Sequence, residues 1–226
     1  MERILDDGTV RQLKDFWGEI PSPINLLLFV GDEDCTYCDE TLQLLKELSE
    51  IEPKIHLSRY NLDKDQEMAA QYHVDKKPTI VLAGQIDGKM VDYGIRFVGI
   101  PAGHEFTSLV NDIAMIGKAD SGLGGKTRDF LKALDKPVKL QVFVTPTCPY
   151  CPQAVVLAHR MALESPLVEA EMIEATEFPE LSDRYGVNGV PHTAINEGAG
   201  TLIGAAPEER LVFEIQNAIQ GSAGGR

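Results

Sequence analysis

The sequence predicts an α/β protein in which one unit occurs twice. The first observation behind this prediction is a pair of CxxC motifs, and the second is a set of residues that repeats around both motifs at one constant offset. The third is the periodicity, because apolar runs of strand length alternate with stretches whose apolar residues recur at helical spacing. Such alternation is typical of a sheet covered by helices.

The repeat is centred on Cys35–Cys38 and Cys148–Cys151, whose first cysteines are separated by half the length of the 226-residue chain. Both motifs have a tyrosine before the second cysteine. A proline follows at the same interval in both halves, at Pro78 and Pro191, and a Tyr-x-Val sequence precedes each proline at equal distance. This agreement indicates a duplicated domain.

Each half shows one order of elements: a short helix, an apolar strand, the CxxC motif, a helix, a strand, a helix, two strands and a final helix. In the first half the run 24–30 is almost wholly apolar, as expected for a strand covered on both faces. Its other predicted elements are helices at 14–20, 65–72 and 105–116 and strands at 55–62, 79–83 and 91–98.

The second half follows the same plan after a polar, glycine-rich stretch at 117–125. We therefore predict two domains, at residues 1–117 and 118–226. The elements predicted for the second are helices at 127–134, 179–185 and 208–219 and strands at 140–144, 168–173, 193–196 and 201–204.

The charge balance excludes two classes of partner. Lysine and arginine number 21 against 35 aspartates and glutamates, which gives a net charge of −14. Because an acidic surface repels phosphate backbones and anionic headgroups, we expect neither nucleic acid nor a membrane as a partner. No apolar run approaches the roughly 20 residues of a membrane helix, and the first residues do not resemble a secretion signal. The sequence thus predicts a cytoplasmic protein.

A CxxC motif at the start of a helix favours thiol–disulfide exchange. This chemistry needs a thiolate that attacks and a second thiol that resolves the mixed disulfide. Since a helix N-terminus stabilises an anion, we expect the helices to begin at Cys35 and Cys148, with Cys38 and Cys151 one turn further along. Two prolines flanking the second motif suit a first helical turn.

A zinc site with four cysteine ligands is the main alternative. Structural zinc motifs usually place their CxxC pairs roughly 15 to 20 residues apart, whereas these pairs are much further apart and belong to separate repeats. A zinc-bearing interaction module therefore remains a remote alternative, and we predict no metal site. Four histidines lack metal-ligand spacing and are expected to be solvated or to cap helices: His56, His73, His104 and His159.

The strand, the CxxC motif and the proline before a later strand together resemble the thioredoxin and glutaredoxin superfamily. With two copies, the whole chain is similar to the two-domain, glutaredoxin-like protein disulfide oxidoreductases of thermophilic archaea and bacteria, and Cys148-Pro149-Tyr150-Cys151 matches the glutaredoxin-type motif. The resemblance implies two tandem thioredoxin-like domains that share one continuous mixed sheet flanked by helices.

The resemblance also implies roles for individual residues. Pro78 and Pro191 would be cis prolines that face the cysteines, and the residues before them, Lys77 and Val190, would contact an extended substrate. The four cysteines would be catalytic, so that redox-active disulfides serve in place of any other cofactor. The residues that support the motifs, by packing or by substrate contact, would be Tyr37, Pro149 and Tyr150.

The function implied is a protein disulfide oxidoreductase, which reduces, oxidises or isomerises disulfides in protein substrates through both CxxC sites. The alternative is a carrier that relays electrons from a thioredoxin-reductase-like donor to a peroxiredoxin. Thioredoxins have a buried acid in the strand before the motif, but this chain has none there. The sequence therefore leaves the proton acceptor for the resolving cysteines unidentified.

The two sites are expected to differ in reactivity. Because neighbouring negative charges disfavour a thiolate, we predict a lower pKa for Cys148 than for Cys35 and a faster reaction at Cys148. The second motif has no acid next to it, whereas five carboxylates lie beside the first: Asp32, Glu33, Asp34, Asp39 and Glu40.

Overall fold

The computed structural model describes residues 3–221, so the first two residues of the first predicted domain and the last five of the second lie outside the described part. The elements in chain order are α1 (Asp7–Trp17), β1 (Ile24–Val30), α2 (Cys38–Ile51), β2 (Ile55–Asn61), α3 (Gln66–Gln71), β3 (Thr79–Ile86), β4 (Lys89–Val98), α4 (Glu105–Lys118), α5 (Gly125–Lys132), β5 (Val138–Val144), α6 (Cys151–Glu164), β6 (Val168–Glu174), α7 (Pro179–Arg184), β7 (His192–Ile195), β8 (Gly200–Ile203) and α8 (Glu208–Gly221).

All strands belong to one eight-stranded sheet with the order β2-β1-β3-β4-β6-β5-β7-β8. In the first half β1 is parallel to β2 and antiparallel to β3, and β3 is antiparallel to β4. The second half repeats these pairings with β5, β6, β7 and β8. The halves join through the parallel pairing of β4 with β6. The predicted α/β fold with one continuous sheet is confirmed.

Side chains on successive strand positions point to opposite faces of the sheet, and both faces are covered by apolar residues. One face carries a single large core that includes Leu26 and Leu140 and spans both halves. The other face carries two smaller clusters, one with Phe29 near α3 and one with Phe143 near α7. This near-complete burial explains why the strands before the motifs are apolar at almost every position.

The helices after the motifs begin later than the sequence predicts. They start at the second cysteine of each motif, Cys38 and Cys151, and not at the first. The first residues of each motif instead form a turn, and the first helical hydrogen bond of α2 joins the amide of Thr41 to the carbonyl oxygen of Tyr37 over 3.0 Å. The expectation that the attacking cysteines open the helices is therefore wrong by one turn.

Helix α1 also differs from its prediction, because local capping decides both of its ends. The carboxylate of Asp6 accepts a hydrogen bond from the amide of Thr9 over 2.7 Å and so starts the helix well before the predicted residue 14. Gly18, at φ 55°, ends the helix before the prolines that were expected to stop it. Trp17, in its last turn, is buried and donates to the carbonyl oxygen of Val110 over 3.0 Å.

Helix α4 joins the two halves. It ends the first repeat, at Lys118, and packs against α6 of the second. The predicted division after residue 117 therefore coincides with the end of α4 and remains a prediction. Within residues 3–221, no helix combines the length and the hydropathy that crossing a membrane requires.

Candidate active site

The two CxxC motifs lie on the same edge of the sheet. Each motif follows the C-terminal end of a strand, β1 or β5. These strands run in the same direction, since β1 and β4 are both antiparallel to β3 and since β4, β6 and β5 are mutually parallel. A substrate that approaches this edge therefore meets two redox sites on one molecule.

Both motifs contain a disulfide, Cys35–Cys38 in the first and Cys148–Cys151 in the second, with 5.5 Å between the Cα atoms of each pair. The second cysteine of each pair is the more deeply buried of the two: Cys38 and Cys151 are 7% and 0% exposed. Cys148 is 8% exposed, and Cys35 is half-buried. This order of exposure suits attack by the first cysteine and resolution by the second.

The tyrosines of both motifs are exposed. Tyr150 precedes the first residue of α6 and is 68% exposed, and Tyr37 holds the same place before α2 and is 41% exposed. Pro152 lies within the first turn of α6, where a missing amide proton costs no helical hydrogen bond. The exposed rings favour substrate contact over packing within the motif, a role that remains a prediction, as does the supporting role of Pro149.

The peptide bonds before Pro78 and Pro191 are cis. Each proline precedes a strand that pairs with the strand leading to the cysteines, so both prolines lie at the edge of the sheet that carries the motifs. Equivalent bonds anchor the two loops, because the carbonyl oxygen of Pro78 accepts from the amide of Gly99 over 2.9 Å and that of Pro191 accepts from the amide of Gly204 over 2.8 Å.

The residues before the cis prolines give the two sites different surfaces. Lys77 extends over the backbone of Gly31, and its ammonium group lies 3.2 Å from the carboxylate of Asp63. Val190 is half-buried and packs against the large core. The first site therefore presents a paired charge and the second an apolar residue. Substrate contact by Lys77 and Val190 remains a prediction.

The carboxylates beside the first motif all face solvent. Asp32 is paired with Lys64 at 2.5 Å, and this contact lowers the pKa of its carboxyl group. Because water and counterions screen exposed charges, these carboxylates disfavour the Cys35 thiolate less than buried ones would. The predicted pKa difference between Cys148 and Cys35 keeps its direction, with a smaller expected size.

A buried carboxyl group lies near the second motif, and sequence reasoning missed it. Glu105, the first residue of α4, is 1% exposed. Its Oε2 accepts a hydrogen bond from Ser108 Oγ over 2.6 Å, while its Oε1 has no hydrogen-bond partner among residues 3–221. Burial, with a smaller contribution from the Asp112 carboxylate, raises the pKa of Glu105 to about 7.

Two contacts hold α4 beside α6. At one end, the amide of His104 donates to the carbonyl oxygen of Pro146, two residues before Cys148, over 2.9 Å. Further along, Asp112 Oδ2 and His159 Nδ1 lie 2.5 Å apart. These contacts bring the first turn of α4, which contains Glu105, to the first turn of α6, which contains Cys151.

The first site has no such acid on an adjacent helix among the described residues. The buried acid of α2, Glu47, accepts hydrogen bonds from the amides of Ile4 and Leu5, both over 2.8 Å, and from Gln43. Its carboxylate oxygens are thus occupied in holding the N-terminal segment. A proton acceptor is therefore available at the second site only, within the part of the chain that the structure describes.

Two histidines are buried within the second half. His159 is fully buried and bonded to Asp112, so the expectation that it is solvated or caps a helix is wrong. Its partner lies in the other repeat, which a reading of one half at a time does not reveal. His192, the first residue of β7, packs edge-on against Phe143, and burial lowers its pKa.

No group of three or more histidine, cysteine, aspartate or glutamate side chains within residues 3–221 is arranged to hold a metal ion. The sites instead consist of thiol pairs that close into disulfides. Two thioredoxin-type units, each with a CxxC motif after its first strand and a cis proline before its third, define a thioredoxin-fold thiol–disulfide oxidoreductase with two redox sites.

Comparison with known proteins agrees with this class. The thioredoxin domain family matches residues 138–217. The whole chain is similar in structure to a protein disulfide oxidoreductase from Aeropyrum pernix K1, with a TM-score of 0.87, 31% sequence identity and coverage of 97% of this chain and 96% of that one. The chain belongs to this family of two-site, thioredoxin-fold disulfide oxidoreductases.

A second group of similar proteins has another name. A structure of the alkylhydroperoxide reductase AhpF from Enterococcus faecalis has a TM-score of 0.85 and 29% identity, covering 93% of this chain and 99% of that one. The alkyl hydroperoxide reductase of the same type from Pseudomonas aeruginosa is 26% identical over 193 residues, which is 85% of this chain. The chain spans about a third of the length of the curated relatives it matches.

Proposed function

We propose that the protein exchanges disulfides in protein substrates and that the Cys148–Cys151 pair is its principal site. One observation carries this proposal: the second CxxC pair lies next to a buried carboxyl group, whereas the first pair has no such acid among the described residues. The substrates are protein thiols and disulfides, and the location in the cytoplasm stays a prediction of the sequence.

In the direction of reduction, the Cys148 thiolate attacks a substrate disulfide. A new bond forms between Cys148 and one substrate sulfur, and the other substrate sulfur leaves as a thiolate that takes a proton from water. Cys151 then loses its proton and attacks Cys148, which closes the protein disulfide and releases the second substrate thiolate. Two electrons pass to the substrate, and a dithiol donor restores the reduced protein.

Glu105 is the proton acceptor for Cys151 in this proposal. A buried thiol ionises poorly, so a base within the same enclosed region accelerates the resolving step. With a pKa of about 7, Glu105 is partly ionised at neutral pH and can both accept and return a proton. Its Oε1, which lacks a hydrogen-bond partner within residues 3–221, is free to do so.

Replacing Cys151 by serine is expected to trap a mixed disulfide through Cys148, because the resolving thiol is then missing. The trapped species is measured by non-reducing electrophoresis and peptide mass spectrometry after mixing with oxidised insulin. Cys148→Ser is the matched control and should trap nothing at this site. A Cys151→Ser protein that never accumulates the adduct would contradict the assigned order of the two cysteines.

Isomerisation, if the protein catalyses it, is proposed to need both CxxC sites, since both face one edge of the sheet and can act on one bound substrate. We expect the Cys35→Ser, Cys38→Ser double variant to lose most of its ability to reactivate scrambled ribonuclease while it still reduces insulin. A double variant that isomerises as well as the unmodified chain would overturn cooperation between the sites.

An electron carrier is the second candidate, and the similarity to the alkyl hydroperoxide reductases supports it. In this role a thioredoxin-reductase-like donor would reduce one CxxC site, and a peroxiredoxin would receive the electrons. The test measures peroxide-dependent NADPH consumption with thioredoxin reductase and a peroxiredoxin, with and without the protein. Strong stimulation together with weak insulin reduction would favour the carrier over the enzyme acting on diverse proteins.

A further inference from the structure

Four buried polar side chains form a continuous line from the second site into the junction between the two halves. Glu105, Ser108 and Asp112 are three and four residues apart and so share one face of α4. Ser108 donates to Glu105 over 2.6 Å, and Asp112 is bonded to His159 of α6 over 2.5 Å. Each of the four residues is at most 1% exposed.

The Asp112–His159 pair is poorly suited to a purely stabilising role. Asp112 Oδ1 and His159 Nε2 have no hydrogen-bond partner among residues 3–221, and the His159 ring lies edge-on to Phe97 with 5.0 Å between the centroids. Desolvation of such a pair costs about as much as its attraction returns, so an apolar pair of similar volume would pack at least as well. Its position in the core thus points to a role beyond packing.

The position of the pair links it to the cysteines. Asp112 lies about two helical turns beyond Glu105, and His159 lies about two turns beyond Cys151. The bond between them therefore holds α4 and α6 side by side in one register, with Glu105 level with Cys151. A shift of either helix along its axis would separate the carboxyl group from the thiol.

We propose that Asp112 and His159 are positioning residues of the second site: their bond aligns Glu105 with Cys151, and their charge controls when Glu105 can accept a proton. This inference rests on the function proposed above, in which Glu105 is the proton acceptor. It also makes the second site a composite of both halves, since Asp112 belongs to the first repeat and His159 to the second.

The charged groups around this line act in a consistent direction. Burial raises the pKa of Asp112, whereas His159 and the neighbouring Arg160 of α6 lower it. The Asp112 carboxylate raises the pKa of Glu105, because two buried negative charges repel each other. The other titratable groups nearby are His104 next to Glu105 on the chain and, after reduction, the thiols of the motif itself.

Two substitutions test the electrostatic part. Asp112→Asn removes the carboxylate, and His159→Gln removes the partner that keeps the buried carboxylate ionised. Both variants therefore relieve Glu105 of a negative charge, and its pKa is expected to fall by about half a unit, as for a charge roughly 10 Å away whose partner offsets part of its effect. The measurement is a ¹³C NMR titration of the Glu105 carboxyl carbon in the oxidised full-length protein.

Glu171→Gln is the matched control. Glu171 is also buried, at 2% exposure, but it is bonded to Gln141 and Lys139 away from this line, so the pKa of Glu105 should not change. An unchanged Glu105 pKa in both test variants, or an equal shift in the control, overturns the proposal. Should a variant fail to fold, the unmodified protein decides: the His159 and Glu105 signals are expected to share a titration step, and independent titrations overturn the coupling.

The pH profile of insulin reduction separates this inference from the proposed function. In both test variants, the rise of the rate with pH is expected to move to lower pH together with the pKa of Glu105. A lower Glu105 pKa with an unmoved rate profile would keep the coupling between the residues but overturn the role of Glu105 as proton acceptor, and with it the use of the pair in catalysis.

Discussion

Cys148→Ser is expected to reduce the rate of insulin reduction by dithiothreitol by at least about tenfold, because it removes the nucleophile of the principal site. Cys148 has no carboxylate beside it on the chain, and it is followed by a resolving cysteine with a buried base nearby. The remaining rate would come from Cys35, whose surrounding carboxylates disfavour its thiolate.

Cys35→Ser is the matched control and is expected to retain most of the activity. The double variant with serine at both positions should be inactive, since no attacking thiol is left at either motif. Full reductase activity in the double variant would falsify the enzymatic role of the motifs. Greater loss in Cys35→Ser than in Cys148→Ser would reverse the assignment of the principal site.

Glu105→Gln is expected to slow insulin reduction at pH 7 by about tenfold or more, the lower part of the range for loss of a general base. In the unmodified protein the rate should rise as Glu105 ionises, around its pKa of about 7. Without the carboxylate, Cys151 must ionise unaided, so the rise should move up by about one to two pH units, toward or beyond the ordinary thiol pKa.

Glu47→Gln provides the matched control for this substitution. Glu47 is also a buried acid, at 4% exposure, but its carboxylate holds the amides of Ile4 and Leu5. This variant should be less stable and should keep the pH profile of the unmodified protein. A profile for Glu105→Gln that matches the unmodified protein would rule out Glu105 as the proton acceptor.

Stability gives a readout of Glu105 that is independent of catalysis. Its folded pKa of about 7 lies above the ordinary value of 4.5, so the folded state holds this proton more tightly than the unfolded state does. Its ionisation therefore removes about 3 kcal/mol of stability as pH rises from 4.5 to above 7. We expect Glu105→Gln to raise the unfolding temperature at pH 8 and to change it little at pH 4.5.

Much of the fold is predictable from the sequence because both of its main signals are local. The sequence predicts β1 with its observed bounds, since a strand covered on two faces is a continuous apolar run. The duplicated motif then predicts the second half from the first. Helix ends are less predictable, because capping by Asp6 and Gly18 determines α1 and the turn within each motif delays α2 and α6.

The part of the site that the sequence does not predict depends on contacts between the repeats. Glu105 occupies a first helical turn, where an acid is ordinarily solvated and favoured by the helix dipole. It is buried because α4 of the first half packs on α6 of the second. The only available sequence signal is the position of an acid at the start of an otherwise apolar helix that leads into the second repeat. The same contact explains the burial of His159.

The inequality of the two sites is the central claim, and a single rapid-mixing experiment tests it. The fully reduced protein is mixed with a limiting amount of oxidised insulin, quenched with N-ethylmaleimide at early times, and digested for mass spectrometry. We predict that the Cys148–Cys151 disulfide forms first while Cys35 and Cys38 are still alkylated. Earlier oxidation of the Cys35–Cys38 pair, or equal rates at both pairs, would contradict the account.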